Sequence, residues 1–255
     1  MYLTDTHVHL NMKDFQDDLS EVIERAHRQN VKQMVNIGYN IKSSEESLSL
    51  ANKYAFIYAA VGVHPHDAKK VKGGYLKELE NMAKEKKVIA IGEIGLDYYR
   101  DLSPRDIQKK VFEEQLEFAI SLGLPVIIHE REAKEDTLTI IKKYRDRLKG
   151  GIFHAFSGGE EFLGDYLDID FYYGIGGVVT FKNAHKLRNM IKKLPIDRLL
   201  LETDCPYLTP HPFRGRRNEP GFVTLVRDHL SLILGIPREE MDQILYKNTK
   251  KALGI

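Results

Sequence analysis

Short apolar segments alternate with longer helical segments along the whole chain, and this alternation is repeated eight times. Apolar runs of the β type are predicted to form strands at residues 2–8, 33–37, 56–63, 88–91, 125–128, 151–153, 171–174 and 199–201. Segments with helical periodicity predict helices near residues 15–29, 44–53, 75–86, 105–122, 134–148, 160–167, 183–193, 222–234 and 238–253. Several strands are almost wholly apolar, as parallel strands buried on both faces must be.

The number of strands selects between the two common parallel architectures. Eight strands in 255 residues favour a (β/α)8 TIM barrel of the α/β class over an open, doubly wound sheet. No G-x-G-x-x-G motif follows the first strand, which argues against dinucleotide binding. Because no low-complexity stretch or long linker interrupts the chain, we expect one domain over residues 1–255.

Composition excludes several classes of protein. The formal net charge of +1 gives no general attraction to nucleic acid or membrane, so polyanion binding would need a local basic patch. Cys205 is the only cysteine, which rules out an intrachain disulfide and fits a reducing compartment. No apolar run approaches the ~20 residues of a membrane span, and the first residues do not resemble a signal peptide. We therefore expect a cytoplasmic protein with no membrane association and no obligate protein partner.

Histidines and carboxylates stand where the predicted strands end. Six of them are candidate metal ligands: His7, His9, Glu93, His129, His154 and Asp204. Because barrel enzymes place their active sites at the carboxyl ends of the strands, we expect these six side chains to converge. His7 and His9 are two residues apart, so both rings project to one face of an extended strand and could chelate one ion.

Each candidate ligand also has a structural interpretation. A lone histidine at a strand end is often an ordinary buried residue, and Glu93 or Asp204 could cap the following helix. Together, however, four histidines and two carboxylates suit zinc, manganese or magnesium. A single catalytic zinc usually takes three protein ligands, so six predict two divalent ions that share a bridging carboxylate and activate a water. Asp204 could take a proton from that water and later deliver it to the leaving group.

Further residues near the same strand ends are candidates for substrate binding. His64 could contact a phosphate or orient a ligand, and His66 could do the same or only shape its loop. Arg131 could pair with a phosphate, or with a neighbouring glutamate. Arg216 and Asn218 belong to an arginine-rich loop that could bind phosphate or be a solvated charge run. Four aromatic residues could stack on bases or simply pack: Tyr98, Tyr99, Tyr207 and Phe213.

Several longer motifs resemble those of one known family. They are D-T-H-V-H-L at residues 5–10, G-V-H-P-H at 62–66, G-E-I-G-L-D-Y-Y at 92–99, P-V-I-I-H-E-R-E-A at 125–133, F-H-A-F-S-G at 153–158, L-L-E-T-D-C-P-Y-L-T-P at 200–210 and R-G-R-R-N-E-P at 214–220. In this order, over nearly the whole chain, they are similar to the TatD family of metal-dependent hydrolases within the amidohydrolase-like barrels.

The resemblance implies a somewhat distorted TIM barrel and a metal-dependent phosphodiesterase, most simply a deoxyribonuclease. It implies that one ion is held by His7, His9, Glu93 and Asp204, and a second by Glu93, His129 and His154. Glu93 would then bridge the two ions, and the substrate would be DNA. The alternative is a metal-dependent ester or amide hydrolase, such as a deacylase of D-aminoacyl-tRNA, which would make tRNA the partner. A catalytically silent binding protein is a third possibility.

Overall fold

The computed structural model describes residues 1–255 and contains eight strands and nine α-helices. The strands are β1 (Leu3–Val8), β2 (Val31–Ile37), β3 (Ile57–Val61), β4 (Val88–Asp97), β5 (Val126–Arg131), β6 (Gly151–Phe153), β7 (Tyr172–Ile175) and β8 (Leu199–Leu201). The helices are α1 (Leu19–Arg28), α2 (Ile41–Lys53), α3 (Tyr75–Ala83), α4 (Arg105–Leu122), α5 (Lys134–Tyr144), α6 (Leu163–Ile169), α7 (His185–Ile191), α8 (Val223–Leu234) and α9 (Arg238–Leu253).

The strand order confirms the predicted fold class. The sheet runs β1-β2-β3-β4-β5-β6-β7-β8, and the strand pairs are parallel. A parallel bridge between Val8 and Cys205 joins the end of β1 to the segment after β8, so the first and last strands are neighbours. Sequential order with neighbouring first and last strands is the topology of a (β/α)8 barrel. None of the helices combines the length and the apolar composition that crossing a bilayer requires.

The fourth strand departs from the sequence prediction. The sequence predicts that this strand ends at Ile91 with Glu93 just beyond, but β4 continues to Asp97, so Glu93 lies inside the strand. The residues beyond the predicted end pair with β5, so that Gly95 lies opposite His129 and Asp97 lies opposite Arg131. Gly95 has a φ of +141°, and a Cβ there would overlap the His129 carbonyl oxygen, so this approach of the two strands requires glycine.

Contacts along the chain define two compact units. The first comprises Met1–Asn36, Ala155–Leu163 and Tyr172–Ile255, and the second comprises Ile37–His154 and Gly164–Phe171. The first unit thus contains β7, β8, β1 and nearly all of β2, with the C-terminal helices α8 and α9. The second unit contains β3 to β6 and the helices α2 to α5. The expectation of one domain over residues 1–255 stays a prediction.

Each unit has its own apolar core. In the first, Val8 and Leu200 are buried, as are Val226 on α8 and Met241 on α9. In the second, the strand residues Ile91, Ile94 and Ile128 are buried, as are Phe112 and Leu116 on α4. Burial of these side chains is the main favourable contribution to folding. The strands packed in this way are rigid, and they hold the polar residues at their ends in fixed positions.

Candidate metal centre

In the first unit, the side chains of His7, His9 and Asp204 form one cluster. The Nε2 atoms of His7 and His9 are 3.3 Å apart. The Asp204 Oδ1 atom lies 3.4 Å from Nε2 of His9 and 3.8 Å from Nε2 of His7. The two imidazoles are buried, and the Asp204 carboxylate is nearly so. Three electron-pair donors therefore face one point in a region that excludes most water.

These separations fit a metal ion. For zinc with bonds of 2.0–2.1 Å to nitrogen, the edge of a tetrahedron between two ligand atoms is about 3.4 Å. The three distances of 3.3, 3.4 and 3.8 Å lie close to that edge. Hydrogen bonds alone explain the cluster less well, because N–H···O bonds are typically 2.7–3.2 Å long. The donor set of two imidazoles and a carboxylate is one that zinc and similar divalent ions accept.

The backbone holds Asp204 in an uncommon conformation. Its φ is +57°, in the left-handed region. Its N–H donates to the His7 carbonyl at 2.9 Å, and its own carbonyl accepts from the Tyr207 N–H at 2.8 Å. This backbone conformation costs free energy in a residue other than glycine, and the surrounding hydrogen bonds must offset that cost. Residues held in this way are concentrated at functional sites.

The buried carboxylate of Asp5 joins β1 to the segment after β8. It accepts hydrogen bonds from the Thr203 N–H at 2.9 Å, the Thr203 hydroxyl at 2.6 Å and the His7 N–H at 3.3 Å. Burial raises the pKa of Asp5 well above its usual range, against the opposing effect of the hydrogen bonds from Thr203 and His7. Asp5 thus positions the strand segments that carry His7 and Asp204.

In the second unit, a second cluster surrounds one oxygen of Glu93. Its Oε1 atom lies 2.7 Å from Nδ1 of His129 and 3.6 Å from Nε2 of His64. Nε2 of His154 is 3.7 Å from the same oxygen. The two longer distances are close to the tetrahedral edge, whereas the distance to His129 is that of a hydrogen bond. An ion bound here would replace the proton between Glu93 and His129.

Asp97 completes this second cluster and was missed from the sequence. Its buried Oδ2 atom lies 3.0 Å from Nε2 of His129 and 2.8 Å from Nε2 of His66. A carboxylate on the far nitrogen of a metal-ligating histidine fixes the orientation and tautomer of the ring. The signal was present, because Asp97 ends the G-E-I-G-L-D segment and, four residues along the strand, shares a face with Glu93.

The charges of this cluster follow from those contacts. Burial lowers the pKa of His129, but hydrogen bonds to Asp97 and Glu93 outweigh it and raise the pKa to about 9. Burial would raise the pKa of Asp97, yet the hydrogen bonds from His129 and His66 bring it well below its ordinary value. Burial lowers the pKa of His64, and the neighbouring His129 lowers it further. His64 therefore offers a neutral nitrogen, the form that can bind an ion.

We expect Asp97→Asn to weaken metal binding or hydrolysis by about 10- to 100-fold while the protein still folds. The amide cannot stabilise the His129 ring as the carboxylate does, although it occupies nearly the same volume. Metal affinity, measured by competition with a chromogenic chelator, checks this expectation. Unchanged affinity and unchanged turnover would show that Asp97 only fills space.

The remaining substrate-binding candidates occupy different environments. His66 pairs with Asp97, which accounts for its position without a ligand role. The guanidinium of Arg131 lies over the ring of Tyr99, while its neighbour Glu130 engages Lys134 and Tyr166. Arg216 lies beside the ring of Phe213 at 5.7 Å. Substrate contacts by His64, His66, Arg131 and Arg216 stay predictions.

The arginine-rich loop is held partly by its own ion pairs. Arg217 donates to Asp18 and Glu219, and Arg25 donates to the same two carboxylates. The Arg217 guanidinium lowers the pKa of Asp18 to about 2. Asn218 is completely buried, and its amide nitrogen donates to the carbonyls of Thr203 at 2.8 Å and Tyr207 at 2.6 Å. Both carbonyls flank Asp204 in sequence, so Asn218 supports the loop that carries it, and a direct contact with substrate stays a prediction.

We expect Asn218→Ala to lower the free energy of unfolding by about 1–3 kcal/mol, because it leaves one buried and one part-buried carbonyl without their donor. The loop after β8 should loosen as well, so turnover should fall. Thermal unfolding measured together with turnover checks this. A loss of substrate affinity at unchanged stability would instead support the direct contact.

One further buried carboxyl group lies in the first unit. Glu202, also missed from the sequence, accepts a hydrogen bond from the Ala155 N–H at 2.6 Å, and its side chain fills the space beside Gly174.

The aromatic candidates differ in their contacts. The Tyr98 hydroxyl donates to Asp136, and the Phe213 ring stacks on that of Phe222 with 4.8 Å between the ring centroids. Tyr98 and Phe213 are therefore packing residues. The ring of Tyr207 lies 6.4 Å from that of His9.

Comparison with known proteins identifies the family. The model of the family described as TatD related DNase matches residues 4–254. The chain belongs to the TatD family. This confirms the resemblance found in the motifs and makes the chain a metal-dependent hydrolase.

Individual relatives agree with the family assignment. An uncharacterized metal-dependent hydrolase of Bacillus subtilis, YabD, is 44% identical over 253 residues, which covers 99% of both chains. The TatD protein of Salmonella typhimurium, named a 3'-5' ssDNA/RNA exonuclease, is 34% identical over 91% of both chains. The crystal structure of YJJV, a TatD homolog from Escherichia coli, superposes with a TM-score of 0.93 at 31% identity, covering 99% of this chain and 98% of that one.

Proposed function

We propose that this TatD-family hydrolase cleaves phosphodiester bonds in nucleic acid, with single-stranded DNA as the leading substrate. The observation that supports it most is the pair of buried histidine and carboxylate clusters, in which most separations between ligand atoms are close to those of a metal site. We infer two divalent ions per chain, one held by His7, His9, Glu93 and Asp204 and the other by Glu93, His129 and His154. His64 is a further ligand candidate beside Glu93.

The chemistry follows from the roles of the side chains. Bound divalent ions would lower the pKa of a water toward ~7 and neutralise charge on the phosphoryl oxygens. The Asp204 carboxylate would accept the proton of the attacking water as its oxygen forms a bond to phosphorus. The bond from phosphorus to the leaving oxygen breaks, and Asp204 returns the proton to that oxygen. One water is consumed, and a phosphate monoester and an alcohol result.

Two facts support a nucleic-acid substrate over other esters. The Salmonella typhimurium relative carries the name of an exonuclease for single-stranded DNA and RNA. The exposed guanidinium of Arg131, two residues beyond His129, has the donors that bind phosphate oxygens. The main alternative is an amide or ester hydrolase, such as a D-aminoacyl-tRNA deacylase, because the same ions would polarise a carbonyl. The lone, buried Cys205 supports a cytoplasmic location.

The test is an activity panel with the purified protein loaded in turn with Zn²⁺, Mn²⁺ and Mg²⁺. The substrates are a single-stranded DNA oligomer, a D-aminoacyl-tRNA and a small cyclic amide. We expect turnover of the DNA oligomer, and we expect the Asp204→Asn variant, prepared identically, to lose it, which excludes a contaminating nuclease. Turnover of the amide alone would refute a nuclease, and turnover of the charged tRNA alone would favour the deacylase.

A further inference from the structure

Tyr99 is an exposed aromatic residue at the carboxyl end of β4. Its side chain is 58% exposed, although a tyrosine ring gains free energy from burial. The neighbouring Tyr98 is different, because its hydroxyl is bonded to Asp136 and the Arg105 guanidinium covers its ring. Tyr98 is thus explained by packing, whereas packing does not explain the exposed ring of Tyr99.

Arg131 holds one face of the Tyr99 ring. Its Cζ atom is 4.0 Å from the ring centroid, the geometry of a stacked guanidinium. The backbone fixes the pair, since the Tyr98 N–H donates to the Arg131 carbonyl at 2.9 Å and Asp97 is the strand partner of Arg131. The arginine therefore orients the ring and leaves its remaining surface to solvent.

The pair lies immediately beyond the second ligand cluster. Arg131 follows His129 by two residues on β5, and Tyr99 follows Asp97 by two residues. Asp97 itself contacts His129 at 3.0 Å. Tyr99 lies on the turn that follows β4, whereas Arg131 lies on β5. Because a strand rises ~3.3 Å per residue, Arg131 is about 7 Å beyond His129 along β5. That distance is within the span of one nucleotide.

We propose that Tyr99 and Arg131 form a stacking platform for the nucleobase next to the scissile phosphate. The open part of the ring would stack on the base, and the guanidinium, whose N–H donors stay in its own plane, would bind a phosphate of the same strand. The platform rests on the proposed function, because it assigns the substrate class of the same site. Since every base has an aromatic face, the platform binds single-stranded nucleic acid with little sequence preference.

The experiment compares two oligomers of equal length, one of ordinary DNA and one in which every base is missing and the phosphates remain. We expect Tyr99→Leu to lower kcat/KM on ordinary DNA by about 5- to 150-fold. Tyr99→Phe should stay near the wild-type value because the ring is kept. On the abasic oligomer, wild type and Tyr99→Leu should be equal, since no base is present to stack.

A matched control uses another tyrosine with a cation over its ring. Tyr58 on β3 has the Lys87 ammonium 4.8 Å from its ring centroid, and it lies at the beginning of its strand, away from the carboxyl ends. We expect Tyr58→Leu to leave turnover of DNA unchanged. Equal losses on both oligomers, or no loss on DNA with Tyr99→Leu, would overturn the platform.

A binding measurement separates failure of the platform from failure of the proposed function. Oligomers containing 2-aminopurine lose fluorescence when that base stacks on an aromatic ring. Quenching by the wild type but not by Tyr99→Leu would support the platform even if no DNA is cleaved, in which case only the nuclease proposal fails. Cleavage of DNA with equal quenching by both proteins would leave the nuclease proposal standing and overturn the platform.

Discussion

Asp204→Asn is expected to lower nucleic-acid hydrolysis by about 10²- to 10⁴-fold, the range by which a positioned acid–base group accelerates a reaction. Asparagine has nearly the same size as aspartate. It also tolerates the left-handed backbone conformation of residue 204, so that conformation should be kept. It cannot accept the proton of the attacking water. The rate should therefore fall while the fold, measured by thermal unfolding, is retained.

The Asp204 experiment needs a metal measurement, because the same carboxylate faces the Nε2 atoms of His7 and His9. The variant is assayed at saturating metal, and its metal content is determined by elemental analysis. Asp197, an exposed carboxylate on the turn before β8, provides the control Asp197→Asn, which should behave like the wild type. A variant with full metal content and full activity would contradict the assignment of Asp204 as the proton-transfer group.

Glu93→Gln is expected to remove both metal ions, whereas a histidine variant should remove one. The two-ion proposal makes Glu93 the shared ligand, and an amide is a poor bridging group because it lacks the negative charge. His7→Ala should lose the ion of the first cluster, and His129→Ala the ion of the second. Metal per chain should fall from two to one in each histidine variant and toward zero in Glu93→Gln, with turnover lost in all three.

Glu130→Gln is the matched control for these variants. Glu130 is adjacent to His129 in the chain, but its carboxylate is engaged by Lys134 and Tyr166. Its variant should keep both ions. If Glu93→Gln keeps one ion, Glu93 serves a single ion and the bridge is wrong. If neither histidine variant loses metal, the proposed ligand set is refuted.

The fold was predictable because its signal is local and repeated. Each strand of the barrel is an apolar run followed by a helix with its own periodicity, so errors in single elements do not change the count of eight. The one large error, the end of β4, arose where glycines and acidic residues interrupt the apolar run. Glu93 and Gly95 are not typical of a strand interior, and the segment is a strand in the fold because residues 94–97 pair with residues 128–131 of β5.

The sequence by itself determined the family, the order of the strands and the residue types available for metal chemistry. Only the tertiary structure decided which atoms face one another. Asp97 bonds to His129, thirty-two residues away, and Asn218 supports the carbonyls on both sides of Asp204. Such contacts depend on strand register and on burial of a polar group, and a buried carboxylate and an exposed one have the same letter in a sequence.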